Sequence, residues 1–282
     1  MKAGFVGLGN LGKAMIKRLM SEKVELSVWN RTKEKAKDIN APFVDKLKDL
    51  INENDIIFLN LFDSNAVEEV LERVDGLLSA DLKDKIIIDT STNHFKKVID
   101  FHRKIREKGG YYLEAPVLGS VVPAMSGNLT IIVSGDEKAF NKAESYLKVL
   151  GSNIFFVKEE GLASKIKLIN NLLLGVFMAG ISEAIALGDR SGIKRELLID
   201  ILLKGAGNSM VLNAKKEKLI QEDFSPHFSS ALIYKDLHYL QDLAKELKSP
   251  LFLGSLTKEL FGLTFKNNIE ELDFSAVLKI FK

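Results

Sequence analysis

The chain has 282 residues, 46% of them hydrophobic and 28% charged, which is enough for two domains of ordinary globular composition. The net charge is +2, from 40 basic and 38 acidic residues interleaved along the chain, and this argues against a nucleic-acid-binding protein. The chain has no cysteine, so disulfides, thiol catalysis and thiolate metal sites are excluded. Its four histidines lack the spacing of metal ligands, and we predict no metal site.

The first residues, MKAGFVGLGN, do not have the pattern of a signal peptide. The longest apolar run, from Leu172 to Ile181, is shorter than the roughly 18 residues that a membrane span needs. We therefore expect a cytoplasmic protein without a membrane partner.

Short runs rich in β-branched residues predict seven strands between residues 3 and 157: AGFVG, VELSVW, DIIFLN, KIIID, YYLEA, LTIIVSG and NIFFV. Amphipathic helical stretches separate them, which is typical of a mostly parallel sheet flanked by helices. After Gly161 the periodicity is helical, over residues 163–188, 194–204, 208–221, 231–247 and 255–267. The predicted fold class is α/β, with a sheet domain over residues 1–160 and an all-α domain over 161–282, joined by a long interdomain helix.

A glycine-rich segment, GLGNLG, lies between the first predicted strand and a helix. Its first glycine can make a tight turn, its second can admit a pyrophosphate close to the backbone, and its third allows close packing of helix and strand. The helix N-terminus supplies amides for phosphate groups. We therefore predict a Rossmann-type dinucleotide site rather than a plain glycine turn. Its residues would be Gly7, Leu8, Gly9, Asn10, Leu11 and Gly12.

The second predicted strand is followed by Asn30 and Arg31, where an NAD enzyme commonly has a carboxylate for the ribose 2′-hydroxyl. Without that carboxylate a 2′-phosphate is not repelled, and Arg31 with the Thr32 hydroxyl and Lys35 can bind it. The alternative is a solvated loop in which Thr32 caps the next helix. Together with the glycine-rich segment, this pattern favours NADP(H) over NAD.

The opening GFVGLGNLGKAM resembles that of the β-hydroxyacid dehydrogenase family. Three further segments match in the family's order: DTST at 89–92, EAPVLGS at 114–120, and KDLHYLQDLA at 235–244. They are similar to the family's Asp-x-Ser-Thr, its substrate segment, and the stretch by which its C-terminal domain reaches the cofactor. The chain departs from the family pattern at Phe95, Leu118, Ser120 and Ala163.

Counting from Gly161, Lys167 and Asn171 stand at the positions of the family's lysine and asparagine. Residues four apart share one face of a helix and can reach the same small group. Alone, the pair would favour an ordinary interdomain hydrogen bond. With the cofactor and substrate segments, the resemblance implies that Lys167 is the general acid of a carbonyl reduction. It also implies that Asn171 orients the lysine or the substrate.

The resemblance is closest to the glyoxylate and succinic semialdehyde reductase branch, which implies NADPH-dependent reduction of small aldehyde acids. A 3-hydroxyisobutyrate or tartronate semialdehyde dehydrogenase, an imine reductase and a non-catalytic NADP-binding module are the alternatives. The resemblance also implies a homodimer or homotetramer in which C-terminal helices meet. We expect the substrate to contact Ser91, Thr92, Leu118, Gly119, Ser120, Lys167 and Asn171. We expect the rest of the cofactor to contact Leu61, Phe62, Thr92 and Lys235.

Overall fold

The computed structural model describes residues 2–282. The chain forms two compact units, of which the first extends to Lys167 and the second runs from Leu168 to Lys282. The predicted boundary, after residue 160, precedes the helix Leu162–Arg190, whereas the two units divide within that helix. The first turns of the helix therefore belong to the sheet unit.

The first unit contains one sheet of eight strands. They are β1 Lys2–Val6, β2 Glu25–Trp29, β3 Ile56–Leu59, β4 Ile86–Asp89, β5 Tyr111–Glu114, β6 Val117–Leu118, β7 Leu129–Gly135 and β8 Gly151–Lys158. The strands β2, β1, β3, β4 and β5 are parallel neighbours in that order. The strand β7 is antiparallel to β5 and β6 and parallel to β8. Since β8 occupies one edge of β7, the strands β5 and β6 share the other.

Helices cover the sheet: α1 Asn10–Ser21, α2 Leu47–Glu53, α3 Ser64–Glu72, α4 Phe95–Glu107, α5 Val121–Met125 and α6 Glu137–Leu150. Successive residues of a strand belong to separate apolar clusters, as Phe5 and Val6 of β1 do. This alternation is expected of strands buried on both faces, because side chains point to opposite sides in turn. The predicted mostly parallel, Rossmann-type sheet is confirmed, and the short β6 is the strand that periodicity did not predict.

The second unit is helical, as predicted. Its helices are α7 Leu162–Arg190, which begins in the first unit, α8 Arg195–Lys204, α9 Met210–Gln221, α10 Ser230–Glu246 and α11 Phe252–Lys266. Their ends differ from the predicted ends by no more than three residues. A 3₁₀ helix, Phe274–Ile280, was not predicted, and the buried Asp273 at its start accepts a hydrogen bond from Lys215 Nζ at 2.8 Å.

Among residues 2–282, α7 is the one helix that length and composition would allow to cross a membrane. Half of its most apolar window of 18 residues is buried inside the protein. The apolar run from Leu172 to Ile181 is thus part of a longer apolar helix. The expected absence of a membrane partner stays a prediction.

Candidate active site

The glycine-rich segment has two glycines packed against protein and one facing open space. Gly7 has a φ of +105°, and a Cβ there would lie 2.2 Å from the main-chain oxygen of Asn60. At Gly12 a Cβ would lie 2.2 Å from the carbonyl oxygen of Gly7, whereas at Gly9 it would meet no atom within 4 Å. Gly9 caps α1, whose first turn carries no acidic residue. The open space at a helix N-terminus therefore fits the pyrophosphate of a dinucleotide.

Asn30, at the end of β2, holds the glycine-rich segment in place. Its side-chain oxygen accepts a hydrogen bond from the Leu8 amide at 3.0 Å, and its Nδ2 donates to the carbonyl of Thr32 at 2.8 Å. Thr32 gives the following 3₁₀ helix, Lys33–Ala36, no side-chain hydrogen bond, so the capping alternative is not realised. The structure thus shows how two predicted cofactor segments are joined through Asn30.

Arg31 follows Asn30 on the surface, with a side chain that is 75% exposed. Its Nη1 is 3.1 Å from Oε2 of Glu69, on α3. Because exposed ion pairs contribute little free energy, a phosphate could replace this partner at small cost. Lys35 is also exposed. The two cations are accessible to a ligand.

The carboxyl ends of β3 and β4 are linked by hydrogen bonds. The Leu61 amide donates to the hydroxyl oxygen of the buried Ser91 at 2.8 Å. Asp89, buried at the end of β4, accepts hydrogen bonds from the Ser91 amide, Asn93 Nδ2 and the Tyr112 hydroxyl, at 2.8, 2.9 and 2.6 Å. Burial raises the pKa of Asp89 above its ordinary value, and these hydrogen bonds oppose the rise. Asp89 belongs to the DTST segment, yet sequence reasoning assigned it no function.

Leu61, Phe62 and Thr92, which are predicted to contact the cofactor, differ in how exposed their side chains are. Leu61 is partly buried and packs against an apolar cluster of the sheet unit. Phe62 is 50% exposed and is therefore not a residue of the core. Thr92 is half-buried. Phe62 and Thr92 follow β3 and β4, the edge at which parallel sheets bind ligands.

Lys167 is bound to the predicted substrate segment. Its side chain is buried, and Nζ donates a hydrogen bond to the main-chain carbonyl of Val117 at 2.9 Å. The predicted substrate residues Leu118, Gly119 and Ser120 follow Val117 directly. A Cβ on Gly119, whose φ is +121°, would lie 2.8 Å from the side chain of Leu129. The turn after Val117 therefore favours glycine.

Asn171, one turn after Lys167, is completely buried in the second unit. Its Nδ2 donates to Oδ2 of Asp236, on α10, at 2.6 Å, and its Oδ1 accepts from Asn170 at 3.0 Å. The other carboxylate oxygen of Asp236 is 3.0 Å from Nζ of Lys235. Sequence reasoning selected Lys235 from KDLHYLQDLA and missed Asp236, although an acidic residue beside that lysine was the available signal.

Within residues 2–282, three carboxylates that could hold a metal ion, those of Glu68, Glu72 and Asp100, lie within 4.8 Å of one another. Each of them already has a lysine partner, because Lys97 is 2.7 Å from Glu68, and Lys104 contacts both Glu72 and Asp100. The cluster is better explained by ion pairs between α3 and α4. The absence of a metal site stays a prediction.

Family models match both units of the chain. One, for the NAD binding domain of 6-phosphogluconate dehydrogenase, matches residues 2–158. The other, for the NAD-binding region of NADP-dependent 3-hydroxyisobutyrate dehydrogenase, matches residues 161–281. A nicotinamide cofactor is common to both descriptions, which do not decide between NAD and NADP.

Full-length relatives differ in the substrates that their names carry. The chain is 32% identical to 2-(hydroxymethyl)glutarate dehydrogenase of Eubacterium barkeri, over 100% of the chain and 95% of the relative. It is 30% identical to glyoxylate/succinic semialdehyde reductase 1 of Arabidopsis thaliana, over 100% and 99%. The crystal structure of 3-hydroxyisobutyrate dehydrogenase from Salmonella typhimurium matches with a TM-score of 0.92 at 26% identity, over 99% of each chain.

Proposed function

Because the chain belongs to the β-hydroxyacid dehydrogenase family of NAD(P)-dependent oxidoreductases acting on CH–OH groups, we propose that it reduces small aldehyde acids with NADPH. Glyoxylate and succinic semialdehyde are the proposed substrates, and the products are the hydroxy acids. The hydrogen bond from Lys167 to Val117 carries the proposal, because it fixes a buried ammonium beside the substrate segment.

The proposed chemistry needs a proton donor where the carbonyl oxygen becomes negative. The nicotinamide, when bound, supplies the hydride that adds to the carbonyl carbon. Lys167 stabilises the developing oxygen anion through its positive charge and transfers a proton from Nζ to that oxygen. One N–H of the ammonium is directed at Val117, which fixes the position of Nζ. In the oxidative direction the neutral amine of Lys167 accepts the hydroxyl proton.

Asn171 acts in this proposal through its side-chain amide. Because Asp236 binds the amide nitrogen and Asn170 binds the amide oxygen, the side chain has one defined orientation. Because Asn171 and Asp236 are both buried, a change of rotamer at Asn171 would be costly. The proposed role of Asn171, one turn after Lys167 on α7, is to orient the lysine or the substrate.

The proposed preference for NADP rests on the residues after β2. No carboxylate ends that strand, and Arg31, Thr32 and Lys35 are exposed and available to a 2′-phosphate. The family model for the second unit describes an NADP-dependent enzyme. Glu69 is the residue that opposes this preference, since its carboxylate lies 3.1 Å from the Arg31 guanidinium.

The alternative substrates are 3-hydroxyisobutyrate and tartronate semialdehyde. A family relative named 3-hydroxyisobutyrate dehydrogenase supports the first. A pocket distinguishes such small acids by contacts worth only ~1–3 kcal/mol, so one or two side chains decide. The proposed contacts are Ser91, Thr92, Leu118, Gly119 and Ser120. The family commonly has serine at the position of Leu118. If the preferred substrate is neither glyoxylate nor succinic semialdehyde, Leu118 is the first residue to substitute.

Initial rates of NADPH oxidation test the proposal directly. The panel is glyoxylate, succinic semialdehyde, methylglyoxal, 2-methyl-3-oxopropanoate, tartronate semialdehyde and a cyclic imine, with NADH in parallel. We expect the highest kcat/KM with glyoxylate or succinic semialdehyde and NADPH. Turnover of the imine alone, or NADPH binding without turnover of any compound, would contradict the proposed reaction.

We further propose that the chain forms homo-oligomers. Ile169, Leu173, Phe177 and Leu187 share one face of α7, and each is 43–66% exposed. A second copy of the chain is the proposed occupant of this face. Sedimentation velocity would show a particle of two or four chains, and Leu173→Glu would shift it to 31.4 kDa. A wild-type particle of 31.4 kDa would exclude the oligomer.

A further inference from the structure

The start of α7 is bound to the sheet by two side chains from neighbouring strands. Glu114 ends β5 and lies opposite Ser134 of β7 in the antiparallel register. Both side chains are completely or almost completely buried. The Ala163 amide donates to the hydroxyl oxygen of Ser134 at 2.8 Å. Ala163, which departs from the family pattern, is completely buried.

Glu114 uses both carboxylate oxygens at the start of α7, one on the residue before the helix and one within its first turn. Its Oε1 accepts from the Gly161 amide at 2.5 Å, and its Oε2 accepts from the amide and the hydroxyl of Ser164 at 3.1 and 2.6 Å. His102 Nε2 lies 3.1 Å from Oε1. The first amides of a helix lack partners within the helix, and a carboxylate also interacts favourably with the helix dipole. Glu114, at the end of β5, thus caps the N-terminus of α7.

Two contacts join α7 to the sheet, and they are separated by three residues on each side. Ser164 and Lys167 are three residues apart on α7, so they lie on one face of the helix. Glu114 and Val117, their partners, are three residues apart on the sheet. The helix is therefore fixed to the sheet at two successive points, the carboxylate of Glu114 and the carbonyl of Val117.

The segment between those two points is hydrogen-bonded to strands on both sides. The Ala115 amide donates to the carbonyl of Asp89 at 2.7 Å, and the carbonyl of Pro116 accepts from the Ile132 amide at 3.2 Å. Proline also fixes its own φ. Because the sheet segment is held by its neighbouring strands, the contact at Glu114 helps to determine where the first turns of α7 lie, and with them the backbone of Lys167.

We infer that Glu114 is a positioning residue for Lys167: its carboxylate fixes the first turn of α7 and thereby the place of Nζ beside Val117. A carboxylate is needed because all groups facing it from α7 are donors, which an acceptor-only group satisfies. The amide nitrogen of a glutamine would face one of these donors. The inference rests on the proposed role of Lys167.

The test compares Glu114→Gln with Asp136→Asn in steady-state kinetics with NADPH and succinic semialdehyde. Asp136 is the matched control, since it caps α6 in the same unit by accepting from the Ala139 amide at 2.9 Å. A displacement of ~1 Å can cost ~100-fold in rate. For Glu114→Gln we expect kcat to fall roughly 10- to 100-fold, with an unchanged Kd for NADPH measured by fluorescence. Asp136→Asn should keep wild-type kcat.

A double variant separates positioning from general destabilisation. If Glu114 acts through Lys167, Glu114→Gln should not lower the residual rate of Lys167→Met any further. Equal factors in the two backgrounds would overturn the inference, as would wild-type kcat in Glu114→Gln. Lys167→Met with normal turnover would instead overturn the proposed function, so the two failures are distinguishable.

Hydrogen–deuterium exchange gives a readout that does not depend on turnover. In Glu114→Gln, amides between residues 161 and 167 should exchange faster than in the wild type, while those at the start of α6 should not. Unchanged exchange would contradict the inference. If Glu114→Gln does not fold, Ser164→Ala removes one donor and keeps the carboxylate. It should lower kcat in the same direction by a smaller factor, and wild-type kcat would overturn the inference.

Discussion

Lys167 and Val117 are 50 positions apart in the sequence, yet Nζ of the lysine lies 2.9 Å from the carbonyl oxygen of the valine. Glu114 fixes the start of the same helix to the same sheet segment. The general-acid candidate is therefore attached to the segment that carries the predicted substrate residues. Its position depends on the fold of the first unit.

The first prediction concerns the charge of Lys167. The substitution Lys167→Met keeps most of the side-chain volume and removes the proton donor, so kcat should fall ~10²- to 10⁴-fold, the usual contribution of a general acid. The affinity for NADPH, measured by fluorescence titration, should stay within about twofold, because the predicted phosphate-binding segments are unchanged. Lys165→Met is the matched control, since Lys165 lies on another face of α7 and should tolerate the change. Near-normal turnover of Lys167→Met would refute the assignment.

The second prediction concerns the hydrogen bond between Asn171 and Asp236. Asn171→Leu leaves a buried carboxylate without its amide donor, which should cost ~1–3 kcal/mol of stability. Differential scanning calorimetry should therefore show a lower Tm. Asn213→Leu is the control, because Asn213 hydrogen-bonds to Asn208 on the exposed surface and should change stability by no more than about 0.5 kcal/mol. An equal Tm shift in the two variants would argue against a special role for the buried pair.

The periodic spacing of hydrophobic residues predicted the strands and helices, whereas contacts between side chains distant in the sequence became visible only in the structure. Strand and helix periods are local properties, and the seven predicted strands and five C-terminal helices follow from them. Lys167 and Asn171 could be selected because they stand at the positions of the family's lysine and asparagine, four residues apart on one face of a helix. Glu114 could not, because its partners on α7 lie 47 or more positions away. Asp236 had a signal in its neighbour Lys235, but its pairing with Asn171, 65 positions away, required the structure. No periodicity encodes such distances.

The third prediction concerns Arg31. If the guanidinium binds a 2′-phosphate, Arg31→Ala should lower kcat/KM for NADPH roughly tenfold or more while leaving that for NADH nearly unchanged. The companion variant Glu69→Gln removes the competing carboxylate 3.1 Å from Arg31, and the NADPH/NADH ratio should rise. Arg103→Ala, which removes an exposed ion-paired arginine of α4, is the control. A ratio that does not change in Arg31→Ala would mean that another residue selects the cofactor.

The fourth prediction concerns pH and Asp89. Burial raises the pKa of Asp89 above its ordinary value of 3.8, so the folded protein holds this proton more tightly than the unfolded chain does. The stability that this group contributes is thus complete below about pH 4 and is lost as the pH rises through the raised pKa of the folded state. Asn cannot ionise, so Asp89→Asn does not undergo this loss.

The measurement is the Tm of both proteins at several values between pH 4 and pH 7. The amide of Asp89→Asn replaces an acceptor that Asn93 and Tyr112 both use, so the variant should be less stable at pH 4. The difference in Tm between the variant and the wild type should shrink toward pH 7, because only the wild type carries a destabilising buried charge there. Groups that titrate equally in both proteins cancel in the difference. A constant deficit would show that Asp89 ionises as easily in the folded protein as in the unfolded chain, and a deficit that grows with pH would show that it ionises more easily there.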